Sequence, residues 1–313
     1  MKRMFSLFLA LALLAVLSGC GKREPMPDKP DEPTPPPSEG ITLAELNVEF
    51  TAGERDADAL MELKKEFPPL LIDALADEGV TVGRVNVTFG ASDEATADAM
   101  ARGTVQVGFV PVETYLEHGD ALRAADVSLS PVIIMLGASA SAYGQELTEK
   151  ARGGFRSGVS WNDLERAVWA LPQNESSFAL RWLNAYLSRY YDGKSIDDLP
   201  HVIRYAAGEA PDAQSYDLFV APTEEKIAES RSSSASAQEI AYFFSAVAAV
   251  SAADDILCNE EFLTAFGAAV ETLSEDEEGV LYAYDGVRYG HVDQETPDAA
   301  FENWRLVYDY EHE

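Results

Sequence analysis

Cysteine, histidine and positive charge are all scarce in this chain of 313 residues. Two cysteines, Cys20 and Cys258, exclude a small fold stapled by several disulfides. The four histidines (His118, His201, His291, His312) are scattered, and no pair has metal-ligand spacing. Lysine and arginine number 23 against 54 aspartates and glutamates, a formal charge of −31. Such a chain cannot neutralise phosphates in number, which excludes nucleic acid as a partner, and charge does not draw it to anionic lipid. No apolar run reaches the roughly 20 residues of a bilayer-spanning helix. A surface hydrolase would have carboxylates to use, but there is no G-x-S-x-G elbow and no Ser/His/Asp spacing, so no enzyme is expected. No motif calls for a cofactor or a metal.

What is present begins at the N-terminus. MKRMFSLFLALALLAVLSGC carries Lys2 and Arg3, an apolar run from Met4 to Leu17, then small residues and Cys20. The run is too short to span a bilayer and fits a secretory signal peptide over 1–19. Leu17-Ser18-Gly19-Cys20 resembles the lipobox of bacterial lipoproteins, which implies cleavage before Cys20 and a lipid on its thiol. Acyl chains at ~0.8 kcal/mol per buried CH₂ then hold the protein on the cell membrane, outside the cytoplasm. Cys258 is left without a disulfide partner and reads as a small core residue. Residues 21–40, GKREPMPDKPDEPTPPPSEG, make 20–40 a proline-rich tether that cannot form a packed element.

A hydrophobic content of 47% supports a sizeable core in the remainder. LNVEFT at Leu46–Thr51 alternates like a strand. Leu60, Leu63, Phe67, Leu70, Leu71 and Leu75 have helical spacing over Asp58–Ala76, with a kink or break expected at Pro68-Pro69. Val85–Phe89 reads as a strand, Asp93–Arg102 as a helix closed by Gly103, and Val105–Val110 as the next strand. This β-α-β-α-β order predicts a parallel sheet covered by helices. Further on, strands are expected at Val132–Leu136, Val168–Leu171, Tyr216–Val220 and Ile240–Val250. Helices are expected from Asn162, over Ser177–Tyr190, over Glu260–Leu273 and over Pro297–Val307. Arg152–Gly158 is glycine-rich and reads as mobile, and Arg231–Ala237 reads as a low-complexity loop.

Two strand ends carry hydroxyls just before a helix: Val110-Pro111-Val112-Glu113-Thr114-Tyr115 and Pro172-Gln173-Asn174-Glu175-Ser176-Ser177. Gly90-Ala91-Ser92-Asp93 is a weaker third. Ser, Thr and Asp at helix starts commonly serve as N-caps. In open α/β sheets the same place is where ligands bind, because free N–H groups and hydroxyls suit a tetrahedral oxyanion.

Three stretches resemble the substrate-binding proteins of phosphate/phosphite/phosphonate ABC transporters. They are VNVTFGASDEATADAMARGTVQVGFVPVETYL (85–116), SWNDLERAVWALPQNESSFALRWLNAYLSRYYDGKSIDDL (160–199) and EDEEGVLYAYDGVRYGHVDQETPDAAFENW (275–304). The resemblance covers about Leu46 to Val307. It implies an α/β, two-lobe periplasmic-binding-protein fold, each lobe a mostly parallel sheet flanked by helices, with the ligand in the cleft between lobes. It further implies a first lobe of 41–130 plus 240–313, a second lobe of 131–239, an ABC permease as partner, and a monomer. Carried over by position, Thr114 and Tyr115 become ligand donors in the first lobe and Ser176 and Ser177 in the second. The chain departs from the family pattern at Ser92-Asp93, where Ser-Tyr is usual. It also departs at Phe178-Ala179-Leu180, at Glu113, and near Ser128, where a tyrosine is missing. Asp93 and Glu113 repel a phosphate dianion and suit an amine. The expected ligand is therefore a small phosphorus oxyanion, with an amine-bearing ligand on the same fold as the alternative. A scaffold lipoprotein with no small ligand is the reading outside both.

Overall fold

The computed structural model describes residues 40–313, except 54, 175, 207, 210, 226, 227 and 229–237. The signal peptide, Cys20, the tether and the loop 231–237 lie outside the described residues. Along the chain the strands are β1 (Thr42–Leu43), β2 (Leu46–Thr51), β3 (Thr81–Val82), β4 (Val85–Gly90), β5 (Val107–Pro111) and β6 (Leu122–Ser128). They continue as β7 (Val132–Ala138), β8 (Trp169–Pro172), β9 (Val202–Tyr205), β10 (Leu218–Pro222), β11 (Gln238–Phe243), β12 (Ala246–Ser251) and β13 (Tyr289–His291). The helices are α1 (Ala57–Asp77), α2 (Asp93–Ala101), α3 (Val112–His118), α4 (Ala142–Lys150), α5 (Phe155–Gly158) and α6 (Trp161–Arg166). After them come α7 (Phe178–Tyr190), α8 (Glu260–Glu275), α9 (Val280–Asp285) and α10 (Glu302–His312).

These elements form two α/β lobes. The first sheet has the order β13-β6-β12-β5-β2-β4 and the second β11-β7-β10-β8-β9. In the first, β2 pairs in parallel with both β4 and β5, whereas β12 opposes β5 and β6. In the second, β8 is parallel to β10 and β9, and β7 opposes β10 and β11. The chain crosses from the first sheet to the second between Ser128 and Val132 and returns between Phe243 and Ala246. This is the two-lobe arrangement that the resemblance implies. Ile240–Val250 is not one buried strand: it divides at Phe244-Ser245 into strands of different sheets. Residues 240–243 therefore belong with the second lobe rather than the first.

One face of the first sheet packs under α1, α8 and α9. Leu63, Phe67, Leu71 and Leu75 form the buried stripe of α1, each worth roughly 1.5–3 kcal/mol on burial. Phe50 stacks on Phe109 at 4.7 Å and meets Phe67 edge-on at 5.2 Å. The stripe continues on both sides of Pro68-Pro69, so α1 runs through the prolines without the expected break. Both halves are anchored in the same core, which outweighs the lost N–H donors, and Pro69 faces solvent. Arg152–Gly158 is not irregular either. It forms a 3-10 turn and α5, pinned by the buried Phe155.

The other face of the first sheet shares a hydrophobic core with the second lobe. Met100, Val110, Val112 and Leu122 are in it with Trp169, Leu171, Trp182 and Tyr186. Phe301, Trp304 and Val307, from α10 and the turn before it, complete that core. Among the described residues no helix is long and apolar enough to cross a membrane.

Candidate ligand-binding cleft

The strand pairings locate the cleft. Pro111 at the carboxyl end of β5 opposes Ala246, the first residue after the second crossing. Pro222 at the carboxyl end of β10 opposes Ile134, close behind the first crossing. Both crossings therefore sit at the carboxyl ends of the parallel strands of the two sheets. In open α/β sheets that is where ligands bind.

The crossings are tied to each other by Ser128, which is fully buried. Its hydroxyl accepts from the backbone N–H of Ser245 at 2.9 Å and of Ala246 at 3.3 Å, and from the Ser245 hydroxyl at 3.1 Å. The Val112 N–H donates to the Ser245 carbonyl at 3.3 Å, and the Trp304 indole donates to the Phe244 carbonyl at 2.7 Å. Ser128, read from the sequence only as the place of a missing tyrosine, ties the two crossings together.

On the first-lobe rim, Ser92 caps α2, its hydroxyl accepting from the Ala95 N–H at 3.2 Å. Asp93 is half-buried and makes no ion pair among the described residues; its charge acts on the Tyr284 phenol. Glu113 is exposed and pairs with Arg181 of α7 at 3.1 Å. Thr114 is buried in the first turn of α3. Tyr115 points its ring into the shared core, 4.9 Å from that of Phe301, and burial raises its phenol pKa. On the second-lobe rim, the Ser176 N–H and hydroxyl both donate to Asn174 Oδ1, at 3.2 and 2.8 Å. Ser177 stands at the N-cap of α7 without capping it, and its buried hydroxyl has no hydrogen-bond partner among the described residues.

Three rim residues escaped the sequence reading. Thr51 ends β2, and its buried hydroxyl also lacks a partner among the described residues. Its backbone is closed by Tyr284, whose hydroxyl accepts from the Thr51 N–H at 3.0 Å and donates to the Thr51 carbonyl at 2.9 Å. Arg55 donates to the Tyr284 carbonyl at 3.0 Å and the Thr51 carbonyl at 3.1 Å, with its guanidinium 4.0 Å from the Tyr284 ring centroid. Burial pushes the Tyr284 phenol up to about 12 against the pull of Arg55. A cavity of about 200 Å³ opens beside them, lined by Arg55, Asp56, Leu60 and Tyr284 among others. The third is Arg181. Thr51 was legible as a strand-ending hydroxyl. The arginines were not, because nothing in GERD or FALRW says which way a cation turns. A larger cavity of about 530 Å³ lies away from the rim between α7 and α10, and none of the expected ligand residues lines either cavity.

Among the described residues no cluster of three or more His, Cys, Asp or Glu could hold a metal. Cys258 is half-buried, with its sulfur 3.4 Å from the Ser251 carbonyl, and burial pushes its thiol up.

No family model matches the chain, and no curated protein matches it. Solved structures that the chain resembles include the following three. XAC2383 from Xanthomonas citri, bound to chloride ion, has 11% identity and a TM-score of 0.41, over 86% of this chain and 99% of that one. PhnD1 from Prochlorococcus marinus, in complex with methylphosphonate, has 11% identity and a TM-score of 0.37, over 84% and 98%. SsuA from Escherichia coli, a periplasmic aliphatic sulphonate binding protein, has 14% identity and a TM-score of 0.36, over 86% and 93%.

Proposed function

We propose that this chain is a solute-binding protein of an ABC importer, held outside the cytoplasm by a lipid on Cys20 and working as a monomer without catalysis. The observation that supports the reading is that both crossings between the sheets sit at the carboxyl ends of the parallel strands. Such a frame closes on a ligand by bending at the crossings, and differential affinity sets how far it stays closed. The proposed ligand is a small phosphorus oxyanion such as a phosphonate, phosphite or phosphate. Ser177 and Thr51 offer hydroxyls without partners among the described residues, one from each lobe. Ser92, Thr114 and Ser176 are offered as further donors from the same strand ends. Tyr115, turned into the core, is left out of the donor set. Glu113 shares Arg181 with Glu311, so the cluster keeps a net negative charge and only part of the repulsion of an anion is offset.

Asp93, with no ion pair among the described residues, favours the second reading: the same fold with an amine-bearing ligand. Thermal unfolding of the full chain with phosphate, phosphite, methylphosphonate, 2-aminoethylphosphonate and simple amines separates the two. A ligand at a hundredfold its Kd adds about 2.7 kcal/mol of stability. The expected result is a raised midpoint with a phosphorus oxyanion, lost in Ser177→Ala. A rise with amines alone, lost in Asp93→Asn, would establish the second reading instead. No rise with any of them would overturn both.

A further inference from the structure

The C-terminal helix α10 belongs to neither lobe alone. Phe301, just ahead of it, packs on Tyr115 of the first lobe. One turn on, Trp304 packs edge-on against Phe178 and Phe243 of the second lobe, at 4.8 and 5.5 Å, and holds the Phe244 carbonyl of the second crossing. Near its end, Glu311 receives two parallel hydrogen bonds from Arg181, Nε to Oε1 and Nη2 to Oε2, both 2.7 Å. The same guanidinium reaches Glu113 of the first lobe at 3.1 Å. Phe178 lies under it, 5.0 Å from ring centroid to guanidinium. Arg181 is thus the one residue of the second lobe that these ion pairs join both to the first lobe and to the closing helix.

We propose that Arg181 is a clasp that sets the angle between the lobes, and that salt loosens it. Aromatic packing holds α10 across the hinge, but packing of this kind tolerates small rotations. The forked pair with Glu311 has a fixed geometry, so it fixes the direction in which Arg181 presents its remaining N–H groups to Glu113. Opening the lobes pulls Glu113 away from that position and leaves the guanidinium with one carboxylate instead of two. All three side chains remain a third to a half exposed, at 32%, 33% and 50%, so counter-ions reach them and the clasp weakens as the Debye length shortens. It operates whether or not a ligand is bound and does not rest on the function proposed above.

Hydrogen exchange of the full chain, followed peptide by peptide, tests it. In Arg181→Gln, amides of both crossings, 128–132 and 243–246, and of α10 are expected to exchange roughly tenfold faster, with α1 and α8 unchanged. Glu113→Gln leaves the forked pair intact. It is expected to speed the crossings while α10 keeps its protection, which separates a loosened hinge from a poorly folded variant. Raising NaCl from about 0.05 to about 0.5 M is expected to move the wild-type crossings toward the Arg181→Gln pattern and to leave that variant's own pattern in place. Unchanged crossings in both variants would overturn the proposal. So would acceleration spread evenly over all elements, or an equal salt response in wild type and Arg181→Gln.

Discussion

Asp126 shows how much a single residue can hide from a sequence. It lies on β6 with no exposed surface, neither carboxylate oxygen has a hydrogen-bond partner among the described residues, and His291 Nδ1 is 3.7 Å away. Burial first, and then the charge of Glu271, push its pKa up to about 8 from an ordinary 3.8. The folded protein therefore holds a proton through that window which the unfolded chain has released. The unfolded state binds fewer protons there, so stability falls as pH rises from about 4 to about 8. Asp126→Asn removes the dependence. Its gain in melting temperature over wild type is expected to be larger at pH 7.5 than at pH 4.5, worth a few kcal/mol across the window. Gly267 of α8 lies directly against this pair: a Cβ there would come within 2.6 Å of Asp126 Oδ1 and 2.8 Å of His291 Nδ1. Gly267→Ala is expected to destabilise by about 1–3 kcal/mol in urea unfolding. None of this was legible, because LRAADVS carries Arg123 and Asp126 where a buried strand would carry apolar residues. For the same reason β6 itself went unread. The rim serines, by contrast, were found from their place after strands. What each hydroxyl does there depends on its rotamer: Ser92 caps, Ser176 binds Asn174, and Ser177 is left over.

At the scale of elements, those with one clear period were read closely. β2, the stripe of α1, α2 with its Ser92 cap, and α7 all fall within a residue or two of expectation. Short strands at the sheet margins were missed. β9 and β13 have four and three residues, too few for a pattern to stand out, and exist because a neighbouring strand pairs with them. The division of Ile240–Val250 was missed for a different reason. Composition is continuous across Phe244-Ser245, and only the change of sheet separates the two strands. Helix α10 was foreseen as amphipathic, but its span of both lobes was not. Its Trp304 is 9% exposed, between two phenylalanines, with its indole N–H satisfied. Trp304→Ala is expected to cost about 3–5 kcal/mol in denaturant unfolding, more than removal of any exposed residue of the helix.

At the scale of the molecule, the two sheets and their crossings follow from the β-α-β order only with the resemblance as a guide. Periodicity alone does not say that β7 belongs to a different sheet from β6. The arrangement divides the chain unevenly. All the strands of the second sheet lie between Val132 and Phe243, whereas the first sheet draws β2, β4, β5 and β6 from before that stretch and β12 and β13 from after it. β12 lies between β5 and β6. A chain emerging from its N-terminus thus completes the later lobe's sheet first, while the earlier lobe waits with a gap at its centre. Limited proteolysis of a chain ending at Phe243 is expected to leave a resistant core from 132–243 and to digest 46–128. Strands β5 and β6, translated early and paired late, therefore wait for a shared neighbour until the last quarter of the chain arrives to join them.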